Sequence, residues 1–174
     1  GRQSIDTPHL SASGLTLVGL VAVKLAYQLF FFNATVEETG WRGFVLPRLQ
    51  AWTSPLVASL LIAPLWVPWH LFGYVAEGQP IQSASYWVEV YLLHVPASVV
   101  IGWLYNRTRG SILAAGVGHA AANTTFTFLS NLDGPVLIAA IYAFALGIVL
   151  ADRMWKRLPA GHPAWWKWFG VTRG

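Results

Sequence analysis

Cysteine is absent from this chain of 174 residues, and methionine occurs once. Disulfides, thiolate metal centres and a cysteine nucleophile are therefore excluded. Charge is scarce too: charged residues make up 10% of the sequence, against about 25% in an average soluble domain. No aspartate lies within an apolar stretch, and neither Gly-x-Ser-Gly nor His-Glu-x-x-His occurs. Aspartyl, serine and zincin-type hydrolysis thus have no sequence support.

What the chain has is apolar length. Five stretches, 15–32, 55–75, 86–105, 111–130 and 135–151, carry only Lys24 and Glu89 among their charged residues. A run of about 20 apolar residues is what an α-helix needs to cross a hydrocarbon core, because backbone groups in lipid must be satisfied within the helix. The expectation is an all-α, polytopic membrane helical bundle with about five transmembrane helices, one domain over 1–174. Five buried helices of a soluble protein would leave so short a chain almost no polar surface.

The net charge of +4 does not point to nucleic acid, since the cations flank apolar spans rather than gather in a polar domain. Taken by alternate connectors, nine lie on one face: Arg42, Arg48, Arg107, Arg109, Arg153, Lys156, Arg157, Lys167 and Arg173. The other face has Arg2. The positive-inside rule then puts the C-terminus in the cytoplasm, in a multi-pass cell-membrane protein. The tail 152–174 alternates cations with Trp155, Trp165, Trp166, Trp168 and Phe169, as an interfacial amphipathic segment does. Arginine outnumbers lysine eight to three, a bias that points to GC-rich coding and a bacterium.

Ionisable side chains at membrane depth are costly unless partnered, so each is a functional candidate. Glu37, Glu38 and Arg42 follow the first stretch directly. On a helix Glu38 and Arg42 pair at i, i+4, while Glu37 is rotated away by about 100° and left free for general-base work. A surface ion pair at a helix end would use the same residues. His119 and Asn123 also share a helix face, amid alanines and glycines that allow close helix approach; a catalytic pair and a hydrogen-bonded packing pair both fit. His70 follows Pro64 and Pro68, which are expected to make that segment irregular and able to hold water. Glu89, His94 and Lys24 have no companion motif and read as structural or supporting.

In order, Glu37-Glu38-x-x-x-Arg42, Trp66-x-x-x-His70 and His119-x-x-x-Asn123 resemble the three motifs of the CPBP family of intramembrane proteases, which includes CaaX prenyl endopeptidases and Abi-type proteins. The resemblance covers roughly 37–123. It implies a helical fold with a catalytic cavity within the bilayer, open toward the cytoplasm. Glu37 would activate water with help from His70, His119 and Asn123 would stabilise the oxyanion, and Glu38 with Arg42 would brace the site. Where the family commonly has Phe, this chain has Trp66, read as a wall of the pocket. Family members usually carry further spans upstream, so helices are expected to precede those seen here.

Two histidines and a carboxylate (His70, His119, Glu37) suit a divalent ion such as zinc, yet the same groups can run metal-free catalysis, which the resemblance favours. The function expected is hydrolysis of a peptide bond in a membrane-anchored peptide or protein. A non-catalytic membrane binding, immunity or assembly factor of the same family is the alternative, and a small transporter ranks third. One geometric difficulty stands out. At 1.5 Å per residue His70 lies about 22 Å along its stretch and His119 about 12 Å along its own. The expected resolution is a bent second span and an inward extension of the first that carries Glu37.

Overall fold

A computed structural model describes residues 14–128, 134–159 and 161–162. Among these, every regular element is helical. The molecule is an all-α membrane helical bundle. Each of the five apolar stretches forms a helix: α1 (Gly14–Tyr27), α4 (Pro55–Ala76), α5 (Ala84–Arg107), α6 (Ile112–Phe128) and α7 (Gly134–Ala151). Two of them, α4 and α5, are by length and composition sufficient to cross a membrane, and the apolar segments Thr16–Phe31 and Pro135–Ala151 are shorter. Trp165, Trp166, Trp168 and Phe169 of the tail lie outside the described residues.

The first span does extend inward. Helix α1 passes without a break into a π-helical segment, Gln28–Glu37, then α2 (Glu38–Gly40), a second π-helical segment, Trp41–Val45, and α3 (Leu46–Trp52). Wider π turns shift the angular register of the residues that follow, and such segments gather at functional sites. Glu37 and Glu38 straddle one of these changes of winding.

Serine starts three of the helices. Ser54, Ser83 and Ser111 accept the backbone N–H of Val57, Tyr86 and Ala114 at 3.3, 3.3 and 3.1 Å, each satisfying a donor that the first turn leaves open. Pro55 at the first turn of α4 loses nothing there. Pro64 and Pro68 each withdraw an N–H, yet α4 runs on through both. The expected irregular segment is a continuous helix instead, because in lipid the remaining backbone groups have no solvent to turn to.

Helix α5 is the centre of the bundle and packs against α4, α6 and α7. Close approach depends on small residues. A Cβ on Gly102 would run into Ser59 Oγ of α4, and one on Gly118 of α6 would lie 2.6 Å from Leu104 Cδ2. Beside the first contact, Ser98 Oγ donates to Ser59 O at 2.8 Å, a hydrogen bond between helices where apolar burial gives little drive. Leu46, Ala58, Ile62, Trp66, Ile101, Tyr105 and Ala115 form one buried cluster joining α3 to α6. Trp66 sits in this core and at the edge of the polar site.

Candidate active site

The Glu38–Arg42 pair forms as helix spacing requires, with Arg42 Nη1 donating to Glu38 Oε1 at 3.0 Å and both side chains fully buried. The same oxygen accepts His119 Nδ1–H from α6 at 2.7 Å. One carboxylate thus ties the first span to the fourth. A buried ion pair costs desolvation that only good geometry and further hydrogen bonds offset, so this link specifies the arrangement of helices more than it stabilises them. The tie also fixes the imidazole: with Nδ1–H directed at Glu38, Nε2 is the nitrogen left for other chemistry.

Glu37 is not left free. Its Oε2 accepts the indole N–H of Trp66 at 2.6 Å, and its side chain is 9% exposed. Trp66 is therefore more than a wall. Arg42 lies over its ring with Cζ 4.5 Å from the centroid, and His119 and His94 meet it edge-on at centroid distances of 5.0 and 4.8 Å. His70 stacks on it at 6.2 Å. Three imidazole rings, a guanidinium and the Glu37 carboxylate converge on one tryptophan.

That convergence removes the depth difficulty. His70 and His119 both stand against the same indole, within the ~12 Å over which groups can share one reacting centre through water. Residues 66 and 70 are one turn apart on α4, so the indole of Trp66 reaches sideways to Glu37 and bridges the gap in depth.

The sequence reads His94 as structural or supporting, and its ring lies 4.9 Å from that of His70. Its Nδ1 donates to Val90 O at 2.7 Å, which leaves Nε2 unprotonated in the neutral ring. No spacing rule along α5 could have signalled this, since its neighbours belong to α4. Asn123 is half-buried one turn beyond His119, and its side-chain amide makes no hydrogen bond among the described residues. Glu89 is exposed on α5, and Lys24 is half-buried on α1.

Glu37 stands where two cavities meet. The larger, about 460 Å³, is walled by Phe31, Trp69, His70 and Phe72 and runs to Glu77 at the end of α4. The smaller, about 210 Å³, passes Gly40 and Trp41 to Val45, toward the face that carries Arg48. Both cavities adjoin Glu37, which the π-helical segment Gln28–Glu37 carries beyond the end of α1.

Among the described residues no three His, Asp or Glu side chains are grouped to hold a metal ion. Glu37 Oε2 accepts an N–H, while His119 and His94 each engage Nδ1 and keep Nε2 open.

Residues 17–125 match the family model described as Type II CAAX prenyl endopeptidase Rce1-like. CAAX prenyl protease 2 of Methanococcus maripaludis is 29% identical over 132 residues, covering 72% of this chain and 49% of the relative. The chain thus spans about half the length of that curated relative. No solved structure matches.

Proposed function

Since the chain belongs to the Rce1-like family of CAAX prenyl endopeptidases, we propose that it is a membrane-embedded endopeptidase in which Glu37 activates the attacking water. The observation that carries this reading is that Glu37 and His70 line one cavity while His119 is held against the same indole by Glu38. A water bound at the free oxygen of Glu37 loses its proton to the carboxylate and attacks the scissile carbonyl carbon. Negative charge then develops on the carbonyl oxygen. His119, when it carries its second proton, donates Nε2–H to that oxygen, and the Asn123 amide adds a second donor. Glu37 returns the proton to the leaving nitrogen as the C–N bond breaks. His70 orients the water from the α4 side, and no step needs a metal.

The substrate we propose is a membrane-anchored polypeptide that enters in extended form, with a prenylated CaaX tail the first candidate given the family's name. Phe31, Trp69 and Phe72 along the larger cavity suit an apolar chain. The test is cleavage of prenylated and other membrane-anchored peptides by the protein in lipid. Glu37→Gln and His119→Ala should each lower the rate by at least ~100-fold. Cleavage undiminished in Glu37→Gln would overturn the mechanism.

A second reading draws on the Trp66–Glu37 hydrogen bond, which occupies one oxygen of the proposed base. On that reading the site binds a peptide without cutting it. Peptide binding retained in Glu37→Gln, with no product from the wild type, would favour it.

A further inference from the structure

At the opposite end of α4 from His70, the ends of α4, α5 and α7 enclose a separate cavity of about 330 Å³. Four cations line it, Arg107, Arg153, Lys156 and Arg157, against a single carboxylate, Asp152. That carboxylate is already engaged. It accepts the indole N–H of Trp103 and forms an ion pair with Arg107, whose Nε lies 2.8 Å away. Among the described residues lining the cavity, the remaining guanidinium and ammonium donors meet no further anion.

The cavity is built rather than incidental. After α7 the chain turns back on itself, with Met154 N–H donating to Val149 O at 3.1 Å and Leu56 N–H of α4 donating to Met154 O at 3.0 Å. Met154 is only 3% exposed, so the turn is packed into the bundle. Arg153 holds a left-handed conformation (φ 50°), which a non-glycine residue adopts only where its surroundings impose it. Burial keeps His162, at the rim, below its ordinary pKa, so the positive charge facing the cavity is that of arginine and lysine.

We propose that this cavity binds the phosphate of an anionic phospholipid headgroup. Guanidinium forks match phosphate oxygens, and a basic pocket between membrane helices at the interface is the usual form of such a site. Pro55, Leu158 and Pro159 give an apolar flank on which the glycerol and first methylenes can rest. Exposed Trp155 anchors the turn at headgroup level. The inference does not depend on the proposed peptidase activity.

Native mass spectrometry of the full chain in detergent tests it, with phosphatidylglycerol and phosphatidylcholine of identical acyl chains and with inorganic phosphate as competitor. Phosphatidylglycerol should be retained at least ~10-fold more tightly than phosphatidylcholine, a difference of about 1.4 kcal/mol. The exposed pair Lys156→Gln/Arg157→Gln should abolish that preference at unchanged melting temperature, and Arg107→Gln alone should weaken it. Displacement by inorganic phosphate supports recognition of the phosphate itself; resistance to it supports the lipid-presented group. Arg48→Gln and Arg109→Gln, on the same face but outside the cavity, should keep the preference. Equal retention of the two lipids, or an equal loss in these controls, overturns the proposal.

Discussion

The indole N–H of Trp66 on α4 donates to the carboxylate of Glu37 across 2.6 Å. A phenylalanine at position 66 keeps a ring for Arg42, His94 and His119 to pack on but has no donor. Trp66→Phe should therefore destabilise the protein by about 1.5–3 kcal/mol, the worth of a hydrogen bond to a charged group, while still allowing cleavage. Trp66→Ala should cost about 3–5 kcal/mol, because it also leaves a cavity. Thermal unfolding in detergent measures both, and a Trp66→Phe variant as stable as wild type would show that the indole N–H contributes nothing.

Glu38 and Arg42 are fully buried, and Arg42 Nε, Arg42 Nη2 and Glu38 Oε2 have no partner among the described residues. Removing one member leaves a charge buried and uncompensated. Glu38→Ala should destabilise by about 3–5 kcal/mol, whereas Glu37→Gln, at the cavity, should leave the unfolding midpoint within about 1 kcal/mol of wild type. The neighbouring glutamates would thus separate into a brace and a base. Equal stability losses at 37 and 38 would contradict the division.

That division was half legible in the sequence. Glu38 and Arg42 share a face by helical spacing alone, and so do His119 and Asn123. What spacing cannot show is that Glu38 also accepts His119 from a residue 81 positions away, or that a π-helical run carries Glu37 onto the Trp66 indole. The apolar stretches marked all five helices, because lipid imposes a length and a polarity on each. His94 stayed hidden, since its partners His70 and Trp66 sit on another helix and it has no motif of its own.

His94 is where chemistry and packing can be told apart. His94→Phe retains an aromatic edge against Trp66 and His70 but removes both nitrogens. If His94 positions His70, cleavage should fall by roughly 10-fold, about 1.4 kcal/mol, with the melting temperature unchanged. A fall in stability without a change in rate per folded molecule would make His94 a packing residue only.

The α4–α5 contact makes a prediction about the fold alone. A Cβ on Gly102 would collide with Ser59 Oγ, which itself donates to Pro55 O at 2.9 Å. Gly102→Ala should cost about 1–3 kcal/mol by forcing the helices apart. Ser59→Ala removes the colliding atom, so the double variant should recover at least ~0.5 kcal/mol relative to additivity. Strict additivity in unfolding measurements would mean that the two positions do not touch.

Metal dependence is decided by which lone pairs are available. A catalytic zinc site takes three protein ligands and keeps one position open for water. Here Glu37 Oε2 accepts the indole N–H, His119 directs Nδ1–H at Glu38, and His94 directs Nδ1–H at Val90 O. Glu37 Oε1 and the Nε2 atoms of His119 and His94 remain open, but among the described residues no three His, Asp or Glu side chains are grouped closely enough to hold an ion. Cleavage by the purified protein should therefore survive incubation with a strong chelator, and added zinc should not raise it. Loss of activity on chelation, restored by zinc in wild type but not in His70→Ala, would show that the site rearranges around a metal and that Glu37 acts beside an ion rather than alone.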